Sequence, residues 1–327
     1  MQTAQHVLMI RPAHFLSNPQ TAASNAFQRG GVDDAAAQRA ALSEFDAYVA
    51  LLRGAGVGVV VVEDTPLPHT PDSIFPNNWV SFQGDGSALL YPMEAPNRRQ
   101  ERRLAVLAAV EREFRIGRVA DLAHFEADAR FLEGTGSMVL DHDARIAYVC
   151  HSTRSHPEAM AAFVAQTGYQ PLWFHARDRA GVAIYHTNVM MCIGSTLALV
   201  CLEAIGDGEE RARVVAALGA AGKEVLAISF AQMEDFAGNM LELRGAGGRP
   251  VFAMSRRAWA ALDDHQRGRI SACATPVLAP IETIERLGGG GARCMLAEIF
   301  LPRRTEAEAG AATYCAGTGR RPRTASK

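Results

Sequence analysis

A thiol, an imidazole and two carboxylates stand in settings that ordinary strands and helices do not require. Cys294 follows four glycines, an alanine and an arginine at positions 288–293. A glycine inside an element costs about 0.5–1 kcal/mol relative to alanine. Four in a row therefore point to special dihedrals, a close approach to a ligand, or a hinge. His186 lies in IYHTNVMMCIG, where three polar residues interrupt what otherwise reads as an apolar strand. Glu133 lies in RFLEGTGSMVL, just before two glycines, and Asp72 lies in TPDSIFPNNWVSF, with a proline on each side. Taken singly, each has a plainer reading: Asp72 as a turn former, Glu133 as a charge at a strand end, His186 as a satisfied core histidine, Cys294 as a small buried apolar residue. Together they supply a covalent mechanism. A thiol nucleophile needs a base or cation nearby, and its leaving group needs an acid.

Composition narrows the classes. The net charge of −2 provides no basic excess for nucleic acid. No run of 18 apolar residues predicts a membrane span, and MQTAQHVLMIRP is interrupted too early for a secretory signal. The six cysteines, at 150, 192, 201, 273, 294 and 315, form no CxxC pair, which fits a reducing, cytoplasmic setting. The ten histidines include no HxH or HxxxH pair, and the run GGGGARC lacks the Gly-Lys-Ser/Thr ending of a phosphate loop. Neither a metal nor another cofactor is expected.

Positioning these residues requires a scaffold. Apolar spacing predicts helices over about 33–53, 97–114, 157–167, 209–221 and 256–270. Between them lie short strand-like runs, among them HVLMIRP, VGVVVVED, SMVLD, IAYVC, LALVCLEAI, PVFAMS and CMLAEIF. Continuous apolar runs suit strands buried on both faces. Two or three strands accompany each helix, more than a Rossmann alternation supplies. The reading is an α/β chain with a five-unit repeat, the alternative an irregular α+β sheet protein. Residues 1–302 read as a single catalytic domain. Residues 303–327 read as a polar, partly disordered tail, with Cys315 outside the chemistry.

The stretches FLEGTGSMV, YHTNVMM and GGGGARCMLAEIF resemble the guanidino-group modifying enzymes: arginine deiminases, dimethylarginine dimethylaminohydrolases and amidinotransferases. In that superfamily a Glu-Gly stretch, a later histidine and a Gly-rich C-terminal cysteine form the catalytic set in the order seen here: Glu133, His186, Cys294. VLMIRPAHF, DSIFPNNWVSF, YHTNVMMCIG and FAGNMLEL are similar to a subgroup of citrulline-utilisation hydrolases. The resemblance covers about residues 5–302 and implies a five-bladed ββαβ propeller, the pentein fold, with pseudo-fivefold symmetry. It implies a hydrolase of carbon–nitrogen bonds other than peptide bonds, with a small amino-acid substrate. Cys294 would attack a guanidino or ureido carbon, His186 would act as acid and then base, and Glu133 would orient them. Asp72 would hold a substrate nitrogen, and Arg11 would either meet the α-carboxylate or stand as a buried structural arginine beside Pro12. Family habit suggests a homodimer.

The departures from the family pattern inform the substrate. Arginine deiminases place aspartates where this sequence has Asn78 and Asn188. An amide both donates and accepts, so a neutral ureido group, as in citrulline, fits better than a guanidinium. The expected reaction is citrulline to ornithine, carbon dioxide and ammonia. The alternatives are hydrolysis of arginine or methylarginine, amidino transfer, a catalytically silent binding propeller, and a redox-sensing Cys294.

Overall fold

In the computed structural model, which describes residues 1–305 except 23, 24, 26 and 29–33, the first apolar run forms β1 (His6–Arg11), buried along its middle. Helix α1 (Asp34–Gly54) leads to β2 (Gly58–Glu63), which lies parallel to β1 from His6 opposite Gly58 to Arg11 opposite Glu63. The chain then repeats one scheme, in which an antiparallel pair is followed by a helical crossover to a parallel third strand. Strands β3 (Val80–Phe82) and β4 (Ser87–Leu90) are joined by α2 (Leu104–Glu111) to β5 (Arg118–Asp121). After a single helical turn, α3 (Gly134–Ser137), come β6 (Met138–Asp141), β7 (Ile146–Cys150), α4 (Pro157–Thr167) and β8 (Gln170–Phe174). Another single turn, α5 (Thr187–Met190), opens β9 (Met191–Ile193), β10 (Leu197–Val200), α6 (Gly208–Ala220) and β11 (Glu224–Ala227). The short α7 (Phe230–Glu234) precedes β12 (Leu241–Arg244) and β13 (Pro250–Ser255), and α8 (Arg256–Ala261) and α9 (Asp264–Cys273) cross over to β14 (Thr275–Ala279). Finally α10 (Glu282–Gly288) leads to β15 (Ala297–Ile299), which pairs antiparallel with β1.

The scheme thus occurs five times among the described residues, and the last occurrence is built from both ends of the chain, β15 with β1 and β2. The strands group into three three-stranded sheets and one six-stranded sheet, β2-β1-β15-β3-β4-β5. A single residue pair, Ile299 opposite Phe82, joins the two halves of the larger sheet. The five crossovers fall on the five helices expected from apolar spacing, because a parallel pair needs a long connection and a helix supplies it.

The differences from expectation have local causes. The helix expected over 256–270 is two helices, because Asp263 starts a new one: it accepts from the Gln266 N–H, and Gln266 returns a bond to the Asp263 N–H. The helix expected over 97–114 begins with a tight turn, Arg98–Glu101, whose Arg98 side chain faces inward. The outer strands β5, β8 and β14 were not expected; each is a sheet edge, and Pro171 and Pro276 sit where no ladder donor is needed. Residues 184–193 do not form one strand. Thr187 Oγ1 donates to the Ser137 carbonyl at 2.6 Å and accepts from the Cys150 N–H at 2.9 Å, which draws the chain into α5. Arg303 and Arg304 still pair with Phe114 and Glu113; the remainder of the expected tail, 306–327 with Cys315, lies outside the described residues. No described helix is long and apolar enough to cross a membrane.

The crossover helices bury their apolar sides on the sheets. On α4, Phe163 is fully buried with its ring 5.7 Å from that of Tyr169 and 6.3 Å from that of Tyr91. Phe163→Ala is expected to destabilise the fold by about 3–5 kcal/mol, read as a lower midpoint in urea unfolding.

Candidate active site

The segments that immediately precede the first strand of each repeat carry the chemistry. The turn Pro76–Asn78 leads into β3 and carries Asn78. Glu133 opens α3 before β6, and His186 opens α5 before β9. Asn239 lies just ahead of β12. The turn Ala292–Met295 carries Cys294 ahead of β15.

Glu133 is fully buried. Its Oε2 accepts from His186 Nε2 at 2.8 Å and from Arg154 Nη1 at 3.2 Å, and its Oε1 accepts from the Glu94 N–H at 3.0 Å. Burial alone would raise this carboxyl, but Arg154, His186 and Arg98 outweigh it and hold the group well below the usual range. With an ionised acceptor on Nε2, the imidazole keeps its lone pair on Nδ1. Burial lowers His186 to about 4 despite Glu133, so the ring is neutral near pH 7. Cys294 Sγ has Asn239 Nδ2 at 3.2 Å and Asn188 Nδ2 at 3.7 Å. Burial pushes the thiol above its ordinary value, with Asn239, Arg293 and Asn188 acting against that.

A second cluster surrounds Arg98, which is 3% exposed. Its Nε and Nη2 grip both oxygens of Glu101, at 2.9 and 3.0 Å, and its Nη1 donates to Asn78 Oδ1 at 2.9 Å. The carbonyls of Phe75 and Asp72 accept from Nη2. An arginine can only donate, so Asn78 must turn its oxygen to Arg98 and its Nδ2 away. Gly136 is required here, since a Cβ would stand 2.3 Å from Asn78 Nδ2 and 2.8 Å from His186 Cε1. Asp72 Oδ2 accepts from Asn18 Nδ2 at 2.7 Å and lies 3.7 Å from Arg98 Nε; burial nonetheless pushes this carboxyl up. Asp72 Oδ1, Asn78 Nδ2 and Asn188 Oδ1 have no hydrogen-bond partner.

Asp72, Asn78, Arg98, Arg154, Tyr185, His186 and Cys294 line one cavity, with Gly288, Gly289 and Gly290 in its wall. Its free volume of about 20 Å³ holds a water molecule, so an amino acid enters only if the wall opens. A roomier cavity of about 620 Å³ elsewhere, lined by Arg179, Glu234, Asp235 and Arg257, contains none of these groups. The four glycines answer to four neighbours, Phe75, Asn25, Asn239 and Phe236. A Cβ on Gly288 or Gly290 would stand 2.8 Å from the Phe75 ring, one on Gly289, at φ +65°, 2.5 Å from Asn25, and one on Gly291 2.7 Å from Asn239 Oδ1.

The expected residues Glu133, His186, Cys294, Asp72 and Asn78 are therefore brought together. Asn188 stands apart from the cavity: it reaches the sulfur and lines a separate void with Arg293 and Glu298. Arg11 is not at the site. Its guanidinium grips both oxygens of Asp46 at 2.8 Å and approaches Glu63 at 3.5 Å, half-exposed at the end of β1. The residues that the sequence reading missed are Arg98, Arg154 and Asn239. The first two sit in charge-rich stretches that resemble solvated faces. Asn239 had one available signal, its place ahead of the fourth antiparallel pair. Among the described residues, no group of three His, Cys, Asp or Glu side chains could hold a metal ion.

A family model described as N,N dimethylarginine dimethylhydrolase, eukaryotic, matches residues 11–301. No curated protein sequence matches the chain. Among solved structures, the N-terminal domain of ArgZ, an arginine dihydrolase of the ornithine–ammonia cycle in Cyanobacteria, superimposes with a TM-score of 0.72 at 15% identity, over 91% of this chain and 98% of that one. AgrE in complex with ornithine and NAD+ gives 0.71 at 17% identity, over 92% of this chain. The chain spans 41% of the length of full ArgZ and 40% of that AgrE chain. A cysteine-to-serine variant of DDAH from Pseudomonas aeruginosa, complexed with citrulline, gives 0.61 at 16% identity, over 91% of this chain and 100% of that one.

Two outcomes test the electrostatics. Arg98→Met leaves Glu101 buried without its counter-charge, and a loss of about 3–5 kcal/mol is expected in urea unfolding. His186 has a depressed pKa when folded, so its contribution to stability is complete above about pH 6.5 and is lost as pH falls towards about 4. Over that window the wild type is expected to lose stability relative to His186→Gln, by up to about 1.4 kcal/mol per pH unit; parallel curves would show that the buried imidazole is not held neutral.

Proposed function

Because the chain belongs to the N,N dimethylarginine dimethylhydrolase family, and is thus a hydrolase of carbon–nitrogen bonds in arginine-related compounds, we propose that its own substrate is a ureido amino acid, citrulline, which it converts with one water to ornithine, carbon dioxide and ammonia. The observation that carries this reading is the pair of unanswered atoms in the cavity wall, Asn78 Nδ2 and Asp72 Oδ1. One is a donor and the other an acceptor. A ureido group has a carbonyl oxygen for the first and N–H groups for the second, whereas a guanidinium has no acceptor for Asn78. The charged groups in the wall are one carboxylate and two guanidiniums, which also does not favour a cationic substrate head.

In this mechanism Cys294 Sγ attacks the ureido carbon as its proton passes to His186 Nδ1, and Glu133 stabilises the imidazolium. The imidazolium gives that proton to the departing side-chain amine, so ornithine leaves and an S-carbamoyl cysteine remains. The neutral imidazole then takes a proton from water, and the water oxygen forms the new bond to carbon. The C–S bond breaks, the sulfur recovers the proton from His186, and carbamic acid leaves and separates into carbon dioxide and ammonia. In place of Arg11, Arg154 takes the α-carboxylate: it lines the cavity, and Glu94 and Glu133 hold its guanidinium there. We also read the five repeats as blades of one closed ring with pseudo-fivefold symmetry. This is supported by the pairing of β15 with β1 and by the pre-strand segments that meet at the site.

A second reading is favoured by the likeness to the arginine dihydrolase ArgZ. Arginine would enter first, exchange one guanidino nitrogen for the oxygen of a water and release that nitrogen as ammonia, and present the resulting ureido group to the same steps.

Citrulline and arginine supplied separately to the purified protein discriminate between these readings. Ornithine formed from citrulline, absent with Cys294→Ala, is the expected result. Citrulline accumulating from arginine, with no ornithine from either compound, would overturn the ureido assignment. Asn78→Asp offers a second acceptor and is expected to raise the arginine-to-citrulline ratio of kcat/KM by at least about tenfold.

A further inference from the structure

Cys294 is an awkward nucleophile. It is 6% exposed, and burial disfavours its anion. The side chains that donate to its sulfur are two amides, Asn188 and Asn239, not a base or a cation. The nearer amide is Asn239, a residue with no part in the mechanism above. We propose that Asn239 readies Cys294 for attack, by donating an Nδ2 hydrogen to the sulfur and so favouring the thiolate, and by fixing the backbone that carries it. This inference rests on the reading of Cys294 as the nucleophile.

The geometry leaves the amide one orientation. Asn239 Oδ1 accepts from the Arg293 N–H at 3.1 Å, so the group cannot be flipped without opposing two donors. Its Nδ2 carries two hydrogens. One goes to the Asn188 carbonyl at 2.9 Å and the other to Sγ at 3.2 Å. The second bond is weak to a thiol and stronger to a thiolate, since hydrogen bonds to ions are roughly twice as strong as neutral ones. Asn239 is 1% exposed, so its second hydrogen has no alternative in water. Glycines keep this space. A Cβ on Gly291 would stand 2.7 Å from Asn239 Oδ1, and one on Gly238 would stand 2.4 Å from the Val189 carbonyl. The last glycine of the run before Cys294 therefore serves Asn239, not the cavity. The position is also the fourth-repeat counterpart of those that carry Asn78, Glu133, His186 and Cys294.

Other groups bear on the same sulfur. Arg293 adjoins it in the chain, and Asp72, Arg98, Arg154, Tyr185 and His186 face it around the cavity. The test must therefore read the thiol itself. Alkylation of Cys294 by iodoacetamide, in which sulfur displaces iodide, is followed against pH by peptide-resolved mass spectrometry on the full chain. With Asn239→Ala the midpoint is expected to rise by about one pH unit and the rate near neutrality to fall roughly tenfold, with a parallel fall in kcat/KM for citrulline. Asn239→Asp keeps the oxygen that meets Arg293 but replaces the donor by a carboxylate, so its midpoint is expected to rise further. This second variant serves if the alanine form does not fold. An unchanged alkylation profile in a folded variant that has lost activity would overturn the proposal and leave Asn239 a purely structural role. Activity retained by Cys294→Ala would instead refute the nucleophile reading, and the alkylation curves would still report whether Asn239 favours the thiolate.

Discussion

A buried guanidinium cannot shed its charge, so every group around it must accept. Arg98 imposes that condition on the floor of the site. Its donors fix Glu101, the carbonyls of Asp72 and Phe75, and the oxygen of Asn78. An ion taken out of water costs several kcal/mol even after relaxation, and only well-made hydrogen bonds offset it. The consequence for chemistry is indirect but firm. Asn78 has no freedom to choose which of its atoms meets a ligand, because Arg98 has already taken the oxygen. In the proposed reading, Arg98 thereby sets which hydrogen-bonding partner a substrate must bring to Asn78.

Cys294, the proposed nucleophile, sits at the opposite extreme. Arg98 is surrounded by acceptors, whereas Cys294 is surrounded by amides and glycines. Arg293 adjoins the sulfur and acts against the effect of its burial, and further charge gathers on the Glu133–Arg154–His186 side. In the proposed mechanism that side orients and titrates, and the glycine side admits a planar group close to the sulfur. The neutral state of His186 suits the first step of the proposed thiol attack, in which the base must have a lone pair free to accept a proton.

How much of this could be read from residues alone depends on how loudly each breaks the pattern of its surroundings. Glu133, His186 and Cys294 were legible because glycines or polar triplets interrupt apolar runs, and the five crossover helices because their spacing is amphipathic. Arg98 was not, since NRRQERR reads as a solvated helix face until Glu101 and Asn78 are seen beneath it. Asn239 lies inside FAGNMLEL, where one amide before a strand signals nothing unless the repeat is aligned. Arg11 misled because a cation at a strand end has the same sequence signature whether it meets a ligand or, as here, Asp46. The edge strands β8 and β14 were hidden by their prolines, which only an edge tolerates.

The pairing of β15 with β1 couples residues separated by nearly the whole chain, with His6 opposite Ile299. Loop-closure entropy grows only logarithmically with length, by about 0.6 kcal/mol per doubling, so the equilibrium penalty of this contact is modest. The kinetic effect is larger, because folding slows as contacts become more remote in sequence. Cys294 lies three residues before that last strand, in a turn whose place depends on it. The surroundings of Cys294 are therefore complete only when the two ends of the chain have met, and a chain that has not closed this pair holds the cysteine without the site proposed around it.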